Sequence, residues 1–252
     1  MKKTIYLIAG VLLLFSCKKE SSNPTSNTTN STNNPTSIAK YGNGVTDIEG
    51  NKYKTVIIGT QEWMGENLMT TKYNDNTPIE YVAHNGSNYS WALSKSPAWC
   101  YPGDDKMYDS IYGKLYKGYT IFNISNKNVC PLNWHIPSLK EWKILVDYLG
   151  GESVAGEKMR EAGDIHWKKS GSVSTNLSLF TSLPSGNRSG GEGGGISNPA
   201  WGQSCGWWSS TDTTTTKSYE GAWVLYNSYK TSITGIEFAG KSSGMSIRCI
   251  KD

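Results

Sequence analysis

Five cysteines, three histidines and one G-x-S-x-G run are the residues whose types and spacing could do chemistry in this chain. Gly240-Lys241-Ser242-Ser243-Gly244 has the spacing of a nucleophile elbow, which needs a strand before it and a helix after it. The residues that follow, Met245 to Ile250, alternate as a strand does, so a Gly/Ser turn is expected instead. His84, His135 and His166 share no helical i, i+4 spacing with another metal-type ligand. His135, between Trp134 and Ile136, reads as a hydrogen-bonded structural histidine. Asp104, Asp105 and Asp109 follow a Pro-Gly turn, but their spacing fits no calcium-loop template, and a solvated turn is expected. There is no C-x-x-C, so the usual zinc and thioredoxin-type spacings are missing. No cofactor and no metal site is expected, and an enzyme is the weaker reading.

The other residues with binding chemistry are aromatic. Ten Trp and fifteen Tyr stand against four Phe. Trp63, Trp134, Trp142 and Trp223 fall in strand or helix patterns and are expected in the core. Trp91, Trp99, Trp201, Trp207 and Trp208 fall in loops. Of these, Trp201, Trp207, Trp99 and Trp91 are the candidate ligand contacts, because an exposed indole face matches the CH face of a pyranose ring. The alternative is that they pack under the long loops.

Cys17 has a separate chemistry. Lys2 and Lys3 precede an apolar stretch from Ile5 to Phe15, which reads as a signal peptide too short to span a bilayer. Leu14-Phe15-Ser16-Cys17 is similar to a bacterial lipobox. Residues 1–16 are then the leader, and Cys17 carries the lipid. Two or more acyl chains give lasting anchorage where one is marginal. Residues 17–40, dominated by Ser, Thr, Asn and Pro, read as a disordered tether. Residues 41–252 make the domain, about 210 residues and enough to bury a core. Lys18-Lys19-Glu20 partly resembles the signal that sends some Bacteroidota lipoproteins to the cell surface. An outer-membrane lipoprotein is expected, with the surface and the periplasmic face both open. Losing Lys2 and Lys3 takes the formal charge from +4 to near +2. No long basic run remains, so nucleic acid is not an expected partner.

With Cys17 assigned to lipid, Cys100, Cys130, Cys205 and Cys249 form an even set, which predicts two disulfides with three connectivities open. The preferred pairing is Cys130–Cys249 and Cys100–Cys205. Cys249 lies on the inward face of the last strand, and Cys130 enters the segment leading to the main helix.

The elements that must position these residues begin with a hairpin from Val45 through Ile58 and a turn at Gly59-Thr60 toward Glu62-Trp63-Met64. Residues 74–119 read as long loops with short strands near Trp99-Cys100-Tyr101 and Leu115-Tyr116. The main helix starts at Ser138, with Glu141 completing a capping box, and Leu139, Trp142, Leu145, Val146 and Leu149 form its apolar face. Gly150-Gly151 ends it. A second helix is expected from Val154 to Ala162, and a mobile Gly-rich loop from Gly186 to Ser197. Strands are expected at Trp207–Ser210, Ala222–Tyr226, Gly235–Phe238 and Met245–Ile250. In the last, Met245, Ile247 and Cys249 share one face, and Ser246 and Arg248 lie largely elsewhere. Strands, helices and strands without βα alternation predict an α+β fold with antiparallel pairing.

Seven stretches carry a family resemblance: Asp47–Leu68 (DIEGNKYKTVIIGTQEWMGENL), Tyr112–Tyr116 (YGKLY), Cys130–Trp142 (CPLNWHIPSLKEW), Leu149–Gly151 (LGG), Leu183–Arg188 (LPSGNR), Trp208–Thr211 (WSST) and Ser246–Cys249 (SIRC). In this order they resemble the Fibrobacter succinogenes major paralogous domain, found in exported proteins of Bacteroidota and Fibrobacterota. That family looks like a branch of the C-type lectin-like superfamily, in which a cysteine near the first helix pairs with the last strand. The resemblance thus supports Cys130–Cys249, and it implies a C-type lectin-like arrangement of antiparallel strands, one or two helices and long loops. The Glu-Pro-Asn, Gln-Pro-Asp and Trp-Asn-Asp tripeptides that hold calcium in lectins of that superfamily do not occur here. The function implied is a lipid-anchored envelope protein that binds glycans. A protein-binding module for adhesion or envelope assembly is the alternative. A relative of the formylglycine-generating oxidases is the third reading, and it requires reactive thiols.

Overall fold

A computed structural model describes residues 38–84, 86–123, 125–169, 173–213 and 220–252. The expected leader, Cys17 and the tether up to residue 37 lie outside the described residues. Strands β1 (Ala39–Tyr41), β2 (Val45–Thr46), β3 (Lys52–Tyr53), β4 (Thr55–Ile58) and β5 (Gln61–Met64) come first. Then follow β6 (Glu80–Tyr81), helix α1 (Tyr89–Leu93), β7 (Ala98–Cys100), α2 (Asp109–Tyr112), β8 (Leu115–Lys117) and α3 (Gly118–Ile121). Next are β9 (Trp134–His135), α4 (Leu139–Tyr148) and α5 (Glu152–Met159). The remaining strands are β10 (Ser204–Asp212), β11 (Gly221–Ser228), β12 (Thr234–Gly240), β13 (Gly244–Met245) and β14 (Ile250–Lys251). The architecture is mixed α+β, as the order of elements predicts.

The β-branched run Thr55-Val56-Ile57-Ile58 pairs with Gln61–Met64 across a tight turn. Gly59 sits there at φ +60°, which glycine adopts without Cβ strain. This hairpin lies within a five-stranded sheet of order β1-β4-β5-β14-β9. Ile250 of β14 pairs with both Trp63 and His135, so the last strand is inserted between strands from much earlier in the chain. Strand β1 pairs with β4 through Ala39–Tyr41. Residues 39–40 are therefore sheet edge rather than tether, because the backbone groups of β4 on that side would otherwise be unpaired.

Ser138 and Glu141 form the expected capping box at the start of α4, with Glu141 accepting from Ser138 N–H at 2.7 Å. Trp142, Leu145 and Val146 are buried, and the indole of Trp142 stacks on Trp63 with centroids 4.6 Å apart. The second helix occupies Glu152–Met159, earlier than the expected Val154 to Ala162. It stops because Arg160 turns to extended backbone and buries its guanidinium against the carbonyls of Ser228 and Thr231. Strands β10, β11 and β12 form an antiparallel meander. Trp207 and Trp208 lie in β10 and are fully buried, not in a loop, whereas Trp223 of β11 is only half-buried.

The expected strand from Met245 to Ile250 is divided. Its first residues form β13, in a four-stranded sheet of order β13-β8-β7-β6, and its end forms β14 in the other sheet. Between them, Ser246, Ile247, Arg248 and Cys249 are all buried, so no outward face exists. Arg248 points inward: it donates to the carbonyl of Phe180 and to Asn67 Oδ1, and its guanidinium lies 4.1 Å from the Phe180 ring centroid. Gly240–Gly244 is the turn between β12 and β13, as the following strand requires.

Cys130 and Cys249 form a disulfide spanning 119 residues of chain. Closing a loop of that length stabilises by about 4–5 kcal/mol in the chain-entropy account. The second expected bridge is not formed. Cys100 and Cys205 are free, buried thiols. Cys100 packs in β7 with Trp91, Ala98 and Leu115, whereas Cys205 packs in β10 with a different set that includes Trp142, Trp207 and Leu225. An even cysteine count carries no information about which thiols the sheets bring together.

Candidate ligand-binding surface

Three of the four proposed tryptophan contacts are interior. Trp91 in α1, Trp99 in β7 and Trp207 in β10 are buried. Their indole N–H groups donate to Ser242 O at 2.6 Å, Ile79 O at 3.1 Å and Asn67 Oδ1 at 2.8 Å. Each ring thus has its polar edge satisfied within the fold and offers no free face to a ligand. Trp201 is the exception. It is 57% exposed, beside Ile165 at 78%, on a shallow cleft that Lys168 and Gln203 also line.

Trp99 instead forms the floor of an aromatic cluster. Tyr81 and Tyr101 lie 4.8 and 5.1 Å from it, and 5.4 Å from each other. Tyr81 is 45% exposed. Lys114 Nζ sits 4.9 Å from the Trp99 ring and pairs with Asp109 at 2.8 Å, so the cluster encloses a neutralised cation of the chain's own.

Two clefts open on either side of Glu80, the first residue of β6. The smaller, about 330 Å³, is lined by Glu80, Tyr81, Ser90, Ser94 and Trp91 among others. The larger, about 810 Å³, is lined by Glu80, Lys95, Tyr119, Phe122, Asn123 and Glu220 among others. Both volumes fall in the range of small-molecule sites.

Buried cations build the walls. Arg188 donates to Asn88 Oδ1 at 2.8 Å and Val82 O at 2.6 Å, with its guanidinium 4.2 Å from the Trp91 centroid. That ties Val82, just after β6, to Asn88, just before α1. Asn88 in turn donates to the carbonyls of Ser189 and Gly191, which ties down part of the glycine-rich loop. Lys117 is buried and donates to the carbonyls of Trp91 and Ser94. Burial, followed by the nearby Arg188 charge, lowers its pKa to about 8.

Charged and polar groups line the larger cleft. Tyr119 Oη donates to Glu220 Oε2 at 2.7 Å, and Lys95 pairs with Glu220 Oε1 at 3.1 Å. The Tyr119 bond, then Lys95, hold the Glu220 carboxyl below its usual range. Burial first, then Glu220, push Tyr119 up to about 12. Lys241 Nζ lies 4.6 Å from the Phe122 ring and pairs with Asp212 at 2.7 Å. Lys127 pairs with Asp75 at 2.8 Å. The result is a groove of half-buried ring faces among hydroxyl, amide and carboxylate groups. Apolar faces that stack beside oxygens that accept are what a polyhydroxylated ring needs.

The other chemical candidates are structural. His135 bridges Asp252 through Nδ1 at 2.6 Å and Glu141 through Nε2 at 2.9 Å, and His166 pairs with Glu161. Asp104 accepts from His84 N–H, Asp105 caps Met107 N–H, and Asp109 holds Lys114. Among the described residues no group of three or more His, Cys, Asp and Glu side chains is placed to hold a metal ion. Burial pushes the Cys100 thiol up to about 12 and raises Cys205 further, so both are neutral thiols at physiological pH. No helix among the described residues is long and apolar enough to cross a membrane.

Sequence reasoning missed Glu80, Tyr81, Tyr119, Phe122 and Glu220. The first four sit in or just after a segment with weak periodicity, where nothing marks which rings remain exposed. Glu220 joins them only through the fold. Tyrosine recurring through residues 73–119 with few aliphatics was the available signal.

The fold and these clefts define a disulfide-closed α+β domain with a grooved, aromatic-rich face. Its sequence matches the model of the Fibrobacter succinogenes major domain over residues 56–251, and the chain belongs to that family. No curated protein and no solved structure matches it.

Proposed function

We propose that this chain is a lipid-anchored binding protein of the bacterial outer membrane whose domain recognises glycans as a C-type lectin-like module. The larger cleft carries the glycan reading, because Tyr119 and Phe122 offer ring faces beside Asn123 and the Glu220 carboxylate. A sugar stacks its CH face on such rings while its hydroxyls donate to the acceptors around them. The superfamily assignment is supported by the entry Ile136-Pro137-Ser138 into a capped helix and by the bridge from Cys130 to the last segment at Cys249. The anchor reading is supported by the leader pattern and Cys17.

A glycan array probed with the wild-type protein and with Tyr119→Ala tests the function. Retained saccharide binding lost in the variant supports it, and an array without binding rejects it. Cys17→Ala should move the protein from the membrane fraction to the soluble fraction, and an unchanged membrane fraction rejects the anchor. Binding is expected to survive chelation of calcium, because the calcium-holding tripeptides are absent from the sequence.

One observation favours a protein partner as the second reading. Trp201 and Ile165 are exposed apolar side chains lining one shallow cleft. An envelope protein that binds wild type but not Trp201→Ala, with a blank glycan array, favours that reading.

A further inference from the structure

Glu80 lines both clefts, and although its charge is felt by Lys117, its carboxylate makes no hydrogen bond and no ion pair with any described residue. The neighbouring acids are engaged: Glu220 by Tyr119 and Lys95, Asp75 by Lys127, and Asp212 by Lys241. The ammonium groups around the larger cleft are engaged by these same acids. Lys117, beneath the smaller cleft, spends its N–H groups on the carbonyls of Trp91 and Ser94. The described lining residues therefore present one uncommitted carboxylate and no uncommitted cation.

We propose that Glu80 joins two subsites, accepting hydroxyl hydrogens from a neutral saccharide chain long enough to cross from one cleft to the other. This rests on the glycan reading and specifies its ligand as neutral and oligomeric. The geometry argues for both properties. A ring on Tyr119 and Phe122 occupies the larger cleft, and the next units pass Glu80 toward Tyr81, Ser90 and Ser94 in the smaller one. A carboxylate that spends neither oxygen on a protein donor is a strong acceptor for sugar hydroxyls, and its like charge disfavours uronate or sulfate groups beside it. Glu80 is exposed at a short strand, so replacing it leaves the core untouched.

The test is calorimetric titration of the full chain with cellobiose, cellohexaose, mannohexaose, maltohexaose and hexagalacturonate, using wild type, Glu80→Gln and Tyr119→Ala. At least one neutral hexasaccharide should bind about tenfold or more tightly than a disaccharide of the same linkage, as expected when a second subsite contributes. Glu80→Gln should lower hexasaccharide affinity about tenfold, the scale of one charge-assisted hydrogen bond, with an unchanged melting temperature. Hexagalacturonate should bind more weakly to wild type than the neutral chains, and Glu80→Gln should narrow that difference. Equal affinity for short and long chains, or full hexasaccharide affinity in Glu80→Gln, overturns the proposal. The glycan reading then survives if Tyr119→Ala still abolishes binding. Binding by none of these saccharides overturns both.

Discussion

Tyr119 and Glu220 are 101 residues apart in the chain, and the phenol donates to the carboxylate at 2.7 Å across the mouth of the larger cleft. The bond holds Glu220 ionised and fixes where its second oxygen points. Tyr119→Phe keeps the ring and removes the bond. Saccharide affinity is expected to fall a few-fold, about what one side-chain hydrogen bond contributes, whereas Tyr119→Ala loses about tenfold or more through the missing ring face. Titration calorimetry separates the two. The Glu220 carboxyl should also titrate at higher pH in Tyr119→Phe, measurable by carboxyl NMR.

Arg248 is the strongest candidate for a single essential core residue. It is fully buried between Phe180 and Trp207 and serves the Phe180 and Thr181 carbonyls and Asn67. Arg248→Ala leaves the Phe180 and Thr181 carbonyls without their donor around a cavity, while Asn67 Oδ1 keeps its bond from Trp207, and should cost about 3 kcal/mol or more in urea unfolding. Arg248→Lys should rescue little of this, because an ammonium cannot reach the same acceptors with a planar fork or stack on two rings.

The cysteines predict a chemical map. Peptide mapping without reductant should give the Cys130–Cys249 cross-link, with Cys100 and Cys205 recovered unlinked. Both free thiols should resist iodoacetamide in the native protein and react in guanidinium, since burial keeps them protonated and covered. A Cys100–Cys205 cross-link would refute this arrangement. Cys249→Ser should destabilise by about 2–5 kcal/mol.

Stability should fall as pH rises through the titration of His135. Burial alone would lower its pKa, but hydrogen bonds to Asp252 and Glu141, together with their charges, outweigh burial and leave it raised above 6.5. A group with a raised folded pKa contributes fully below 6.5, and its contribution is lost as pH climbs through the folded value. Glu141 has the opposite sign. Burial would raise its carboxyl, but the Ser138 bonds and then His135 lower it, so its contribution is lost on acidification through the folded value. Urea midpoints measured against pH should decline above 6.5, and His135→Gln should flatten that decline.

The legible parts of this fold were the local ones. Ser138 and Glu141 announce α4 because a capping box is written within four residues, and Thr55–Ile58 announces a strand through its β-branched residues, although it pairs forward with Gln61–Met64 while the expected hairpin from Val45 reaches only Lys52-Tyr53. Burial of Trp91, Trp99 and Trp207 was not legible, because whether an indole in a loop-like segment is covered depends on carbonyls and amides far along the chain, such as Ser242 and Asn67. Arg248 reads as outward by strand alternation, and only the aromatic box around it turns it inward. The candidate clefts were legible only as a general richness in tyrosine. They are assembled from residues between 73 and 127 together with Glu220 and Lys241, and no local pattern encodes that meeting.

The position of β14 between β5 and β9 has a consequence for how the domain is made. The seam between β5 and β9 is filled by residues 250–251, which follow every other described strand in the chain. Until they arrive, β5 and β9 have no partner along that seam, and the cross-link from Cys130 to Cys249 cannot form. Non-local closure of this kind slows folding, because the entropy of closing the long loops must be met before the pairing rewards it. The Cys130–Cys249 bond and the β5–β14–β9 seam are therefore set by the same few residues, 249–251.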